Sequence, residues 1–165
     1  MTHKKIKVII ADDHDLFRDG LRHLLEADNE LELCAESCNG RELVELACRH
    51  KPDVILTDLL MPEMDAIGAI KELYTTFSRD SLKIAVISTF DSDALIVQAL
   101  MGGAIGYISK TARRPDIVEA VKSVYKGDPY YCRSTDSRLK HLISASAFNP
   151  YKNTKQPPFT DVERE

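Results

Sequence analysis

The chain has 165 residues, which is long enough for one domain with a full hydrophobic core and a short appendage. Hydrophobic residues make up 44% and charged residues 29%, as in ordinary soluble globular proteins. The formal net charge of -4 argues against this chain alone as an avid nucleic-acid binder. The N-terminal apolar run of about five residues is too short for a signal peptide or a membrane span, so we expect a cytoplasmic protein without membrane contact.

Apolar runs that are typical of buried strands alternate with amphipathic helical patterns in residues 1–127. The five predicted strands span residues 5–11, 31–37, 54–56, 82–88 and 105–109. The five predicted helices span residues from 15 onward, 41–50, about 66–77, 91 to the Gly102–Gly103 pair, and Pro115 to Gly127. Because every connection is short, this alternation predicts an α/β fold: a doubly wound, five-stranded parallel sheet with five helices.

Two details of this pattern can be checked in three dimensions. The second strand, residues 31–37, is more polar than the others, so we expect it near an edge of the sheet. Asp13 or Asp15 is the expected N-cap of the first helix, since aspartate side chains accept hydrogen bonds from the first backbone amides of a helix.

Polar side chains follow four of the five predicted strands at the point where each strand ends. These residues are Asp12 and Asp13, Asp58, Ser88 and Thr89, and Lys110. If every helix crosses over in the right-handed sense, all of these strand ends lie at one edge of the sheet. Open α/β sheets bind their ligands at this carboxyl edge, so the sequence predicts a functional site there.

The chemistry of these residues favours phosphoryl transfer. Three ionised carboxylates repel one another, which raises the pKa of at least one unless a cation intervenes, and Mg²⁺ suits loop carboxylates of this kind. Lys110 and Ser88 add a positive charge and a hydroxyl, which together with a divalent cation neutralise a phosphoryl group in transfer. Asp58 is then the predicted nucleophile, forming an acyl phosphate.

Four segments carry a resemblance to a known family. They read IIADDHDLFRDGLRHLL, DVILTDLLMPEMD, AVISTFD and GAIGYISK, in the family's order and spacing, and the likeness covers residues 6–127. The chain resembles the receiver domain of bacterial two-component response regulators, specifically the NarL/FixJ type with a LuxR-type helix-turn-helix. The resemblance implies a flavodoxin-like receiver domain over residues 1–127.

The resemblance also implies a role for each carboxylate. Asp58 corresponds to the phosphoacceptor. Asp13 and Asp58 correspond to ligands of Mg²⁺, together with the main-chain carbonyl of Leu60, and Asp12 acts mainly through a bound water. In isolation, Asp12, Asp13 and Asp15 have the simpler interpretation of helix caps.

The remaining site residues are implied to form the switch. Ser88 corresponds to the hydroxyl that moves to the phosphoryl oxygen, and Thr89 is a second candidate hydroxyl at the same strand end. Lys110 corresponds to the lysine that pairs with the phosphoryl group. Tyr107 corresponds to the aromatic that swings inward when Ser88 moves, although a half-buried core aromatic is its alternative interpretation.

The pattern changes after Gly127. Residues 128–158 contain Pro129, Pro150 and a Pro157–Pro158 pair with many polar residues, so we interpret them as a linker with a possible short helix at about 137–147. Residues 159–165 have the signature of a helix start, with Thr160 and Glu163 as a capping box. They resemble the opening of the family's C-terminal helix-turn-helix domain, so we expect that a truncated DNA-binding domain normally follows.

The resemblance implies the partners. A sensor histidine kinase donates the phosphoryl group, phosphorylation favours a homodimer, and the full-length protein binds DNA through the missing domain rather than through this chain. The chain is expected to catalyse only its own phosphorylation and dephosphorylation, so it is not an enzyme in the ordinary sense.

Alternatives remain open at this stage. A haloacid-dehalogenase-type phosphatase also uses an aspartyl phosphate, but it places a second aspartate two residues later, where this chain has Leu60. A receiver-like module that acts only by binding is the other alternative. The four cysteines are expected to be reduced thiols; a zinc site at Cys48 and His50 has an unusual spacing, and His14 and His50 are predicted to be surface residues.

Overall fold

A computed structural model describes residues 4–89 and 93–131, with the side chain of Asp93 left out. The strands are β1 (Ile6–Ala11), β2 (Leu31–Ser37), β3 (Val54–Thr57), β4 (Lys83–Ser88), β5 (Gly106–Ser109) and β6 (Tyr130–Tyr131). The helices are α1 (Asp15–Glu26), α2 (Gly40–His50), α3 (Ala66–Leu73), α4 (Asp93–Gly102) and α5 (Arg114–Tyr125). The possible helix at 137–147 and the segment 159–165 lie outside the described residues.

The strands form one parallel sheet in the order β2-β1-β3-β4-β5-β6. The predicted doubly wound α/β fold is therefore confirmed, and β2 is an edge strand as its polar sequence indicated. The strand order reverses between β1 and β3, which are neighbours in the sheet but not in the chain. Folds of this order bind their ligands at that switch point.

The sheet has one strand more than the five that the sequence pattern predicts. Tyr130 pairs with Gly106 and Tyr131 with Tyr107, so the chain adds a short parallel strand beside β5. The sheet therefore continues past Gly127, where the sequence pattern placed the end of the domain. A strand of two residues is too short to show the alternation by which strands are recognised.

Apolar side chains fill both faces of the sheet. Val8 and Ile10 of β1 face a core shared with α1 and α5, whereas Ile9 and Ala11 face a core shared with α2, α3 and α4. Strands that are covered on both sides are apolar at nearly every position, which explains the unbroken runs in the sequence. The strand ends at the carboxyl edge are thus held in place by two densely packed hydrophobic cores, one on each face of the sheet.

Two local predictions were wrong. The N-cap of α1 is His14, without a side-chain cap, rather than Asp13 or Asp15. Oδ1 of Asp12 accepts a hydrogen bond from the backbone N–H of His14 (2.7 Å). The third helix ends at Leu73 rather than near residue 77, and the chain then turns, with the backbone N–H of Phe77 still bonded to the carbonyl of Leu73. In the part of the chain described, no helix combines the length and apolar character needed to span a bilayer.

Candidate functional site

Asp12 and Asp58 lie side by side at the carboxyl edge of the sheet. They follow β1 and β3, and the backbone N–H of Asp58 donates to the carbonyl of Ala11 (2.8 Å). The backbone N–H of Asp12 in turn donates to the carbonyl of Ser37 at the end of β2 (3.0 Å). Both carboxylates are almost completely buried, with 0% of Asp12 and 3% of Asp58 exposed. Two carboxylates buried side by side require a positive charge between them.

Lys110 supplies that charge. Its Nζ lies 2.8 Å from Oδ2 of Asp12 and 3.1 Å from Oδ2 of Asp58, and the ring of Phe17 covers it with the centroid 4.6 Å away. The backbone N–H of Lys110 donates to the carbonyl of Ser88 (2.9 Å), which fixes the lysine beside the end of β4. Burial by itself lowers the pKa of Lys110, but the ion pairs with Asp12 and Asp58 outweigh burial and raise the pKa.

The same cluster acts on Asp58. Burial raises the pKa of Asp58, and repulsion from Asp12 adds to this effect. The hydrogen bond from Lys110 opposes the increase, as does the backbone N–H of Leu59, which donates to Oδ1 of Asp58 (2.7 Å). With Oδ1 held by a backbone amide and Oδ2 facing Lys110, the Asp58 carboxylate has a fixed orientation.

The structure also places Asp13 and His14 in this cluster. Nδ1 of His14 lies 3.2 Å from Oδ1 of Asp12, 3.4 Å from Oδ1 of Asp13 and 3.8 Å from Oδ2 of Asp58. The His14 side chain is 68% exposed, so the surface position that the sequence predicted is confirmed, but its ring nitrogen turns into the site. The one sequence signal for this was its position directly after the Asp12–Asp13 pair.

The site has the composition of a divalent cation site. Asp12, Asp13, His14 and Asp58 each offer a ligand atom, and these atoms lie within 4.8 Å of one another. Oδ2 of Asp12 is buried and, although close to Lys110, accepts no well-directed hydrogen bond from the described residues. Hard carboxylate oxygens and an open, solvent-facing side suit Mg²⁺, which takes one or two carboxylates and keeps several waters. Among the described residues, no such cluster includes Cys48 or His50.

The other predicted site residues surround this cluster at different depths. Ser88 ends β4 beside Ser109 of β5 and is 1% exposed, whereas Thr89 is exposed. Leu60 lies on the loop that follows Asp58 and is 42% exposed. Tyr107 is buried in the core beneath α2, α3 and α4, so its ring occupies an inward position rather than a half-buried one.

Sequence reasoning missed one further residue that supports the site. Nη1 of Arg18 donates to the backbone carbonyl of Asp12 (2.6 Å), while Nε and Nη2 donate to Glu36 (3.1 Å) and Asp15 (2.8 Å). Its position on the polar face of α1 gave no sign of this role. The guanidinium ties the backbone of Asp12 to α1 and to the end of β2, so it fixes the loop that carries the acidic pair.

Comparison with known proteins agrees with this geometry. The family described as response regulator receiver domain matches residues 8–122. The transcriptional regulatory protein LnrK of Bacillus subtilis (strain 168) is 36% identical over 151 residues, which cover 92% of this chain and 64% of that protein. The chain therefore spans slightly less than two thirds of the length of this relative.

Solved structures give the same result. The signal receiver domain of the putative response regulator NarL from Mycobacterium tuberculosis is 34% identical, with a TM-score of 0.72 over 76% of this chain and 99% of that one. The RcsB response regulator of Salmonella typhimurium is 27% identical, with a TM-score of 0.75 over 84% of this chain and 68% of that one. RcsB is also described as dimers bound to DNA, in a structure with a TM-score of 0.74 and 27% identity over 83% of this chain and 69% of that one. The chain therefore belongs to the family of response regulator receiver domains and is of the NarL/FixJ type that its sequence resembles.

Proposed function

We propose that this chain is a phosphorylation-switched receiver in which Asp58 accepts a phosphoryl group from a phosphohistidine of a sensor histidine kinase. The observation that carries the proposal is the arrangement around Asp58: a buried carboxylate at a sheet edge, with Asp12 on one side and Lys110 3.1 Å away. A second buried carboxylate beside Asp58 repels it and does not stabilise the fold, so the pair indicates a functional role.

The proposed reaction uses the observed orientation of Asp58. A carboxylate oxygen of Asp58 bonds to phosphorus while the bond from phosphorus to the histidine nitrogen breaks, and that nitrogen keeps the electron pair. Oδ1 is held by the backbone N–H of Leu59, so Oδ2, which faces Lys110, is the proposed attacking atom. Lys110 stands where the charge of the transferred group must be neutralised.

We propose Asp13, Asp58 and the main-chain carbonyl of Leu60 as ligands of Mg²⁺, with Asp12 acting through a bound water. Bound Mg²⁺ supplies further neutralisation of the phosphoryl oxygens. Without it, the cluster holds three carboxylates against the single ammonium of Lys110. The cation would therefore also offset the repulsion from Asp12, which adds to the effect of burial in raising the pKa of Asp58.

The proposed switch follows from the added charge, about -2 at pH 7. Ser88 and Thr89 are the hydroxyls that reach the phosphoryl group, and Lys110 pairs with it. Their movement shifts an equilibrium between two arrangements of the surface around α4, β5 and α5. The inward position of Tyr107 is the position that the aromatic is proposed to adopt when Ser88 moves.

We propose that the longer protein regulates transcription. Phosphorylation favours a homodimer, and DNA is bound through a C-terminal helix-turn-helix domain beyond this chain. LnrK is named a transcriptional regulatory protein and RcsB is described as dimers on DNA, which supports this assignment. The net charge of -4 fits a regulatory domain better than a DNA-binding surface.

The test is the intact mass of the protein after incubation with Mg²⁺ and acetyl phosphate. Wild type is expected to gain a single adduct of about 80 Da, and Asp58→Asn none, because the amide cannot form the acyl phosphate. Asp80→Asn, at an exposed carboxylate outside the site, is the control and should label like wild type. An adduct on Asp58→Asn would contradict the proposal. So would the lack of an adduct on wild type, once rapid hydrolysis of the acyl phosphate has been ruled out. Release of many phosphates per protein molecule would indicate a phosphatase.

A further inference from the structure

We propose that His14 is an additional ligand of the cation site, which makes the site selective for borderline divalent transition cations such as Co²⁺ over Mg²⁺. This inference rests on the proposed cation site of the receiver and deepens it. Carboxylate and carbonyl oxygens alone favour hard cations, whereas imidazole nitrogen favours cobalt, nickel and zinc. The residue beside the acidic pair therefore decides which metals the site prefers.

The distances between the donor atoms carry the inference. Two neighbouring ligands of an octahedral cation with bonds of about 2.1 Å lie about 3.0 Å apart. Nδ1 of His14 lies 3.2 Å from Oδ1 of Asp12 and 3.4 Å from Oδ1 of Asp13, close to this spacing. It lies 3.8 Å from Oδ2 of Asp58, so one small movement brings His14, Asp13 and Asp58 around a common centre, with Asp12 close enough to act through a bound water.

A cationic group already marks that centre. Nζ of Lys110 lies 3.3 Å from Nδ1 of His14, 2.8 Å from Oδ2 of Asp12 and 3.1 Å from Oδ2 of Asp58. The imidazole nitrogen and the two carboxylates thus converge on one position that accepts positive charge. The lysine stem is long and flexible, so the ammonium can leave Asp12 when a metal ion enters.

The backbone presents the His14 ring to the site, where Nδ1 contacts Oδ1 of Asp12 (3.2 Å) and Nζ of Lys110 (3.3 Å). The backbone N–H of His14 donates to Oδ1 of Asp12 (2.7 Å), which fixes the residue beside the acidic pair. Its side chain makes no cap hydrogen bond to α1. With the ring proton on Nε2, which the exposed ring can direct to solvent, the lone pair of Nδ1 is available to a metal ion.

The experiment measures Co²⁺ and Mg²⁺ binding at one fixed pH for wild type, His14→Ala and His23→Ala. His23 is the matched control because it is an exposed histidine on α1 away from the acidic cluster. Because His14→Ala loses the imidazole ligand, we expect its Co²⁺ affinity to fall at least tenfold, since removing a partner of a metal site costs roughly 10–100-fold in affinity. Its Mg²⁺ affinity should change less than about twofold. The visible ligand-field spectrum of the Co²⁺ complex should change in His14→Ala, where the imidazole ligand is lost, and should be the same in His23→Ala as in wild type.

The outcomes separate this inference from the proposed function. Co²⁺ affinity that is equal in wild type and His14→Ala, or a Co²⁺ spectrum that changes equally in His23→Ala, would overturn the role of His14 while leaving the Mg²⁺ site intact. The proposed function would instead be contradicted if wild type did not bind Mg²⁺, or if Asp58→Asn bound Mg²⁺ as tightly as wild type. His14→Asn, which places a favourable N-cap residue before α1, repeats the Co²⁺ measurement if His14→Ala is poorly folded.

Discussion

Nζ of Lys110 lies 3.1 Å from Oδ2 of Asp58, although 52 residues separate the two in the chain. The lysine also bridges to Asp12 at 2.8 Å, so one ammonium balances two buried carboxylates from neighbouring strands. This bridge joins the ends of β1, β3 and β5, and its members are the groups that the proposed phosphoryl transfer uses.

Lys110→Met should destabilise the protein strongly. Removing one partner from a buried ion pair leaves an uncompensated charge and costs about 3–5 kcal/mol, and here two carboxylates lose their partner. Urea unfolding measures the effect, and added Mg²⁺ should restore part of the lost stability. Lys122→Met is the control, since Lys122 pairs with Asp28 and Glu30 near the surface and should cost at most about 1 kcal/mol. Equal costs for the two variants would show that the bridge at the site has no special strength.

Asp58→Asn should make the protein more stable at neutral pH. Because folding raises the pKa of Asp58, the folded state holds its proton over a pH range in which the unfolded state has released it. Stability therefore falls as pH rises from about 3.9, the ordinary aspartate pKa, through the raised pKa of the folded state. Wild type should lose stability relative to Asp58→Asn across this window.

Urea unfolding between pH 3.5 and pH 8, roughly the range of carboxylate titration, checks this in the presence of a chelator. The difference in the free energy of unfolding between the two proteins should shrink on acidification. Asp80→Asn, at an exposed carboxylate, should track wild type at every pH. A difference that stays constant with pH would contradict the raised pKa of Asp58.

Arg18→Gln should weaken Mg²⁺ binding about tenfold, the scale at which partners of metal ligands contribute. Arg18 donates to the backbone carbonyl of Asp12 (2.6 Å), so its loss frees the loop that carries the acidic pair. Arg22→Gln is the matched control, because Arg22 also pairs with Glu36 but has no bond to Asp12. Calorimetric titration measures the Mg²⁺ affinity of both variants. An equal loss of Mg²⁺ affinity in the two would show that the pairing with Glu36, rather than the bond to the Asp12 carbonyl, supports the site.

Gly40→Ala and Gly20→Ala should have opposite effects on stability. A Cβ on Gly40 would overlap the carbonyl oxygen of Met64, which accepts the backbone N–H of Gly40 (2.9 Å), so the loop after Asp58 must shift. We expect a loss of about 1–3 kcal/mol, typical of overpacking. Gly20 lies in α1 with open space around it, so alanine there should add about 0.5–1 kcal/mol. Thermal and urea unfolding measure both, and a stable Gly40→Ala protein would show that this loop is freely adjustable.

The sequence alone was sufficient for five of the six described strands, for the doubly wound topology and for the centre of the site. Unbroken apolar runs mark strands that are covered on both faces, and the helical periods between them require parallel crossovers. The handedness of those crossovers then brings the residues after β1, β3 and β5 to one edge. Asp12, Asp58 and Lys110 could therefore be grouped without coordinates, because strand ends are local features and the crossover rule is general.

Tertiary structure alone decided what the polar side chains around this centre contact. His14, just before α1, and Arg18, on α1, both have the sequence environment of exposed residues. Yet His14 turns its Nδ1 toward Lys110, 96 residues away, and Arg18 donates to the carbonyl of Asp12. The first turn of α1 also differs from expectation, because its N-cap is His14, without a side-chain cap, rather than Asp13 or Asp15. An apolar side chain is placed by the period of its own helix or strand, whereas the direction of a polar side chain depends on partners that are distant in the chain.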